Sequence, residues 1–215
     1  ESAFIYVPCP TNANAQKWLQ VPDTTPNGID VRITGQTMLA DDFRCTATGP
    51  ITEVRLWGSW LNDLVWTNPC FCLGLWTDIP TNAANTFSQP GQLLCESCFF
   101  PGQYTNFLYT NVYWEQFWDP FNPTLSLRDS QVWEYVFTLP TNSCWFQTNG
   151  NTYWVSVRIP PNCYDMFQYQ FGWKTCPTNW NDDAVYGYAP GYNWQELRRP
   201  PYYTNSLDLA FQITT

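Results

Sequence analysis

Apolar and polar positions alternate along much of this chain in short runs, each cut off by proline, glycine or asparagine. In 152–159, Tyr153, Val155 and Val157 share one face, and Trp154, Ser156 and Arg158 the other, the period-two pattern of a strand. Residues 132–139 carry apolar groups on both faces, as in a strand covered on both sides. The same pattern predicts strands over Met38–Arg44, Ile51–Trp60, Phe71–Thr77, Gln92–Phe100, Phe107–Trp114, Val132–Leu139, Thr152–Ile159, Phe167–Trp173 and Leu207–Thr214. Asn149-Gly150 predicts a type I′ turn ahead of the 152–159 strand. Helical spacing is confined to Asn193–Leu197 and Ala13–Leu19. Strands at this spacing, without helical crossovers, predict an all-β fold: an antiparallel β-sandwich of jelly-roll type with long aromatic-rich loops. Residues 1–16 read as an extended N-terminal arm and 17–215 as a single sandwich domain.

Charge narrows the function classes. Nine Lys and Arg stand against 18 Asp and Glu, for a net charge of −9. Such a chain has no basic stripe for a nucleic-acid backbone or an anionic membrane surface. No apolar run approaches the ~18–20 residues of a membrane span. Histidine is absent, which removes the commonest general base and metal ligand. The start, Glu1-Ser-Ala-Phe, lacks the basic and apolar regions of a signal peptide, so the chain reads as already processed.

The nine cysteines, Cys9, Cys45, Cys70, Cys72, Cys95, Cys98, Cys144, Cys163 and Cys176, are disulfide candidates and point to an extracellular or cell-surface location. The number is odd, so one thiol is left over or bonds another chain; Cys9, on the arm, is the favoured one. Cys95-Glu-Ser-Cys98 with Cys70 and Cys72 also has the ligand count of a zinc site, against which secretion weighs. Cys70 and Cys72 share one side of a strand and so reach different partners more readily than each other.

Asp41, Asp42, Asp182 and Asp183 are the paired acids. Their mutual repulsion calls for a neutralising group, either a structural calcium ion or Arg and Lys neighbours. No other cofactor is expected. Glu53, Glu115, Asp129, Glu134 and Glu196 are the carboxylates from which a glycosidase pair would come, but no motif singles any two of them out, and the expectation is a non-enzyme.

Aromatic residues are the main functional signal: 13 Trp, 13 Tyr and 14 Phe. Those in alternating strands read as core. Trp114, Phe117, Trp118 and Phe121 in one loop, and Tyr188, Tyr192, Trp194, Tyr202 and Tyr203 in a Pro/Gly-rich late segment, read as a contact surface for sugar rings or another protomer. Phe4, Ile5, Tyr6 and Val7 form a β-prone run suited to strand addition on a neighbour.

Several blocks resemble a known family. They are Lys17-Trp-Leu-Gln-Val-Pro-Asp, Gly28-Ile-Asp-Val, Leu39-Ala-Asp-Asp-Phe-Arg-Cys, Gly49-Pro-Ile-Thr-Glu-Val-Arg-Leu-Trp-Gly-Ser-Trp, Asp129-Ser-Gln-Val-Trp-Glu-Tyr, Phe171-Gly-Trp-Lys-Thr, Trp180-Asn-Asp-Asp-Ala-Val-Tyr and Ser206-Leu-Asp-Leu-Ala-Phe-Gln-Ile-Thr. Together they resemble an uncharacterised domain of secreted bacterial proteins whose members often carry exosortase-type (PEP-CTERM) sorting signals. The resemblance implies a secreted β-rich module and carries over no catalytic residue. This chain ends on its last predicted strand without such a tail and has more cysteines than the family pattern. The expected function is an extracellular structural subunit that self-assembles into a filament, sheath or surface layer, with copies of itself as partners. The alternative is a carbohydrate-binding module that meets a polysaccharide through Trp and Tyr platforms.

Overall fold

The computed structural model describes residues 15–140, 144–163, 168–188 and 191–215. Fifteen strands make up the fold: β1 (Gln16–Gln20), β2 (Ile29–Arg32), β3 (Thr37–Arg44), β4 (Gly49–Pro50), β5 (Glu53–Trp60), β6 (Phe71–Ile79), β7 (Gln89–Phe99), β8 (Thr105–Asp119), β9 (Asn122–Thr138), β10 (Phe146–Gln147), β11 (Thr152–Arg158), β12 (Phe171–Lys174), β13 (Val185–Tyr188), β14 (Gln195–Glu196) and β15 (Phe211–Thr214). The chain is all-β, with only two short 3₁₀ turns at Leu61–Asp63 and Pro161–Cys163 among the described residues.

Two large sheets carry the core. One has the order β1-β15-β5-β12-β2-β8-β9, the other β14-β13-β3-β11-β6-β7; β4 and β10 form a small separate ladder. Within the first, β12 lies between β2 and β5, and β5 also pairs with β9. Within the second, β11 lies between β3 and β6, and β6 pairs with β7. Ile29, Val31, Leu56, Trp60, Tyr135, Phe137, Phe171 and Trp173 of the first sheet meet Leu39, Phe43, Phe71, Leu73, Val155 and Val157 of the second in one buried cluster. The alternation read in 152–158 holds: Val155 and Val157 enter this core, while Trp154 turns to a second cluster with Met38, Ala40, Trp76 and Val185.

Because β5 pairs with β9 as well as β12, the strands β5-β12-β2-β8-β9 close on themselves. The ring is completed by a parallel contact, Ile29–Val31 of β2 against Gln116–Trp118 of β8. This pair departs from the purely antiparallel expectation. Closure leaves a small interior on the face of β2 and β12 opposite the main core, and that interior holds the charged groups described below.

Six cysteines pair as Cys70–Cys163, Cys72–Cys98 and Cys95–Cys144. Cys70 and Cys72 thus reach different partners. Cys45 and Cys176 are buried free thiols, which corrects their place among the disulfide candidates: each sits in packed surroundings with a polar neighbour, the Ala47 carbonyl and the Thr178 hydroxyl respectively. Cys9 and the arm residues Phe4, Ile5, Tyr6 and Val7 lie outside the described residues.

Local expectations fail where tertiary pairing overrides them. Gln16–Gln20, which overlaps the helix candidate Ala13–Leu19, and Gln195–Glu196, inside Asn193–Leu197, are edge strands paired to β15 and β13. The Asn149-Gly150 turn has positive φ at Gly150 alone (86°), so it is not type I′. The stretch 114–126, expected as a loop, is the end of β8, a tight turn and the start of β9.

Candidate functional site

The ring interior holds Asp30, Glu115, Asp129 and Lys174, all fully buried. They arrive as two cross-strand pairs. Lys174 on β12 stands opposite Asp30 on β2, and Glu115 on β8 opposite Asp129 on β9. Irregular register on both sides of Glu115 bulges β8 there, a device that re-aims a side chain. Asp63, at φ 57°, accepts hydrogen bonds from the backbone N–H of Ser130 (2.8 Å) and Gln131 (3.0 Å), and so anchors β9 immediately after Asp129. Two glycines make the room. A Cβ on Gly28 would lie 2.9 Å from both Glu115 Oε1 and Lys174 Nζ, and one on Gly172 would lie 2.8 Å from Asp30 Cβ and the Phe117 ring.

Lys174 Nζ donates to Asp30 Oδ2 at 3.0 Å and lies directly against Glu115 Oε2. Glu115 Oε1 is buried without a hydrogen-bond partner, while Ser59 and Asp129 lie beside Asp30 and favour its ionised form. Three acids therefore face one ammonium in an enclosed space, where charge separation is most costly. Burial pushes Glu115 up to about 7 and Asp129 up to about 9, and it raises Asp30 against the pull of Lys174. Burial by itself would lower Lys174; the Asp30 and Glu115 carboxylates override it and raise it. At neutral pH, Asp129 carries a proton and Lys174 is an ammonium. Among the described residues, Asp30, Glu115 and Asp129 are the one set of three metal-type ligands whose oxygens lie within 4.8 Å of one another.

Asp41, Asp42, Asp182 and Asp183, read as acids needing calcium or basic neighbours, do not gather in this way. Asp41 accepts from Gln20 Nε2 (3.1 Å) and the Leu209 N–H (2.6 Å), and Asp42 from Asn181 Nδ2 (2.5 Å). Asp182 accepts from the hydroxyls of Thr81 (3.1 Å) and Ser88 (2.6 Å); Asp183 binds the Ser206 hydroxyl and pairs with Arg198 at 2.8 Å. Asp41 and Asp42 are adjacent on β3 and point to opposite faces, as strand geometry requires. Burial raises Asp41 well above the carboxylate range, with Asp208 and Asp42 adding to it, lifts Asp42 to about 8 and, across the sheet, Asp208 to about 7. Of the glycosidase candidates, Glu53 and Glu134 both pair with Arg55, Glu196 pairs with Arg198, and Glu115 and Asp129 meet in the ring, out of reach of any substrate.

The aromatic surface divides. Trp114, Tyr188, Tyr202 and Tyr203 are exposed, Tyr202 by 83%. Phe121 packs on Tyr186 and Tyr188, while Tyr192 and Trp194 stack on each other and pack on Trp76. Phe117 and Trp118 are buried, correcting the expectation that they form contact surface: pairing of this part of β8 with β2 carries them into the interior. The exposed apolar residues lie earlier in β8. Phe107, Leu108, Tyr109, Tyr113 and Trp114 are each 42–79% exposed. Thr105–Asn111 pairs with β9 on one side and with no described strand on the other. Nothing between Thr105 and Trp114 is charged, proline or glycine.

A polar cleft of about 440 Å³ opens elsewhere, lined by Asp23, Asn27, Asn179, Arg199, Asn205 and Ser206 among others. Arg199 and Asn205 also bound the tight turn that carries Tyr202 and Tyr203: the Arg199 N–H bonds the Asn205 carbonyl, and the Tyr203 N–H bonds the Arg199 carbonyl.

Residues 16–214 match the model of a family described as DUF7901, a domain of unknown function, and the chain belongs to that family. No curated protein and no solved structure matches it.

Proposed function

We propose that this domain is an extracellular structural subunit, without enzymatic activity, that self-assembles through the outer edge of β8. The observation that carries the reading is the unguarded edge at Thr105–Asn111, continued by exposed Tyr113 and Trp114. Edge strands are normally blunted by charge, proline or cover because a bare one recruits another strand. Here ten consecutive residues lack all three and carry large apolar side chains on both faces. A second copy meets this edge with its own β8, antiparallel about a twofold axis, so that each exposed aromatic residue finds an equivalent. Three disulfides and the absence, among the described residues, of any helix long and apolar enough to cross a membrane are compatible with an extracellular location. The strand orders β2-β12-β5-β9 and β3-β11-β6-β7 support a jelly-roll winding. Numbered along the chain, these eight strands interleave as 1-8-3-6 and 2-7-4-5, the arrangement of two nested Greek keys.

Sedimentation velocity tests assembly. The native chain is expected to sediment as dimers or larger species, and the double variant Leu108→Lys/Tyr113→Lys as a single 25.0 kDa chain with an unchanged far-UV spectrum. A wild-type protein that stays monomeric at high micromolar concentration would overturn the reading.

The polar cleft favours a second reading, polysaccharide binding, with amide and carboxylate groups in its lining and exposed Tyr202, on the turn between the lining residues Arg199 and Asn205, as a stacking platform. Titration against a polysaccharide panel is expected to show binding that Tyr202→Ala weakens by about tenfold, equivalent to one lost aromatic contact of roughly 1–1.5 kcal/mol. Equal affinity of the variant and wild type would remove the platform.

A further inference from the structure

We propose that Lys174 and Glu115 are joined by an intramolecular amide bond between Nζ and Cδ, formed inside the β ring without an external enzyme. Four observations converge on this pair. Nζ lies directly against Glu115 Oε2, on strands that are not neighbours in the sheet. Both side chains are fully buried, so water has little access to compete for the acyl carbon. Asp30 stands 3.0 Å from Nζ on the other side, placed to take a proton. Asp129, directly across the ladder from Glu115, is fully buried and has an oxygen within 4.8 Å of those of Asp30 and Glu115.

The chemistry balances with these groups alone. Glu115 enters the reaction as its neutral carboxyl, the form that enclosure in the ring favours. Lys174 gives one ammonium proton to Asp30, and the freed amine attacks Glu115 Cδ. The Nζ–Cδ bond forms and one Cδ–O bond breaks, its electron pair leaving with the oxygen. A second Nζ proton, relayed through Asp129, joins the departing hydroxyl, which leaves as water. Asp129 ends as it began, Asp30 keeps one proton, and no oxidant, reductant or cofactor takes part. The driving force is local. An ammonium and a carboxylate stripped of water are replaced by a neutral amide, and the large desolvation penalty of the ion pair disappears. The amide N–H then donates to Asp30, and protonated Asp129 donates to the amide oxygen, satisfying atoms that otherwise lack partners. The bond ties β12 to β8 and closes the ring covalently.

Intact mass spectrometry of the full chain, denatured, reduced and alkylated, tests this. The wild type is expected to be lighter than its sequence by one water. A proteolytic digest is expected to contain one branched peptide joining the segments around Lys174 and Glu115, with no cleavage after Lys174. K174M and E115A are expected to have the mass of their sequences. Should they fail to fold, the wild-type digest still decides. Asp129→Asn is expected to slow bond formation by about 100-fold, the usual contribution of a placed proton donor, so that the uncrosslinked chain accumulates after synthesis. A wild-type mass equal to that of the sequence overturns the proposal, and a branch at Asp30 overturns the assignment of Glu115.

Discussion

Replacing Lys174 by Met is expected to destabilise the domain by at least about 3–5 kcal/mol at neutral pH, because it removes the bond to Glu115 and leaves the buried acids without the group that neutralises them. The side chains are close in length, so lost packing contributes little. What remains is three acids with oxygens within 4.8 Å of one another, enclosed by five strands and without a cation. Their relief is protonation, so the deficit is expected to shrink as pH falls toward 5. Guanidinium unfolding of wild type and variant at pH 7.5 and pH 5 measures both effects. A loss below about 1 kcal/mol at the higher pH would mean that the ring interior is wet or the ammonium dispensable. Replacing Asp30, Glu115, Asp129 and Lys174 together by apolar residues of similar size is expected to recover stability relative to K174M, because the penalty comes from the unpaired charges and not from their absence.

The melting temperature is expected to fall by at least about 10 °C between pH 5 and pH 9, opposite to the usual rise of stability from acid toward neutral pH. Asp42, Asp129 and Asp208 have folded-state values of about 8, 9 and 7, each raised chiefly by burial. In the unfolded chain they ionise near the ordinary value of about 4. Between those limits the folded chain holds protons that the unfolded chain releases, so raising the pH favours unfolding. The stabilising contribution is complete below about pH 4 and is lost as the pH passes through the folded values. Each kcal/mol lost lowers the midpoint by about 2–4 °C for a domain of this size. Scanning calorimetry from pH 5 to pH 9 reads the trend, and a flat or rising midpoint would show that these acids are ionised and solvated in the folded protein.

Much of the strand content was legible. Runs such as 38–44, 71–77 and 152–159 alternate because each strand lies between two different surroundings, and side-chain direction follows backbone period. The short strands β1, β2, β13 and β14 were not, because two to five residues give no measurable period. Phe117 and Trp118 show the limit of reading aromatics from loop-like composition. Their stretch holds two prolines and an asparagine, yet pairing with β2 turns it inward. The exposed aromatics sit in a run that reads as an ordinary strand, since nothing local says whether an edge is covered. The ring site left a partial signal: Lys174, one of only two lysines, in an otherwise apolar Phe-Gly-Trp-Lys strand, and Glu115 and Asp129 among the scattered acids.

Composition and period determined the all-β class and the poverty of charge, because these depend on residue types and their local spacing, and blocks such as Gly49–Trp60 carried the resemblance to the family. Which cysteines pair, which aromatics face outward, and that Asp30, Glu115, Asp129 and Lys174 meet in an enclosed ring were decided only by the tertiary structure. These contacts join positions as far apart as 30 and 174, and the order in which strands lie side by side is set by how the whole chain closes its core.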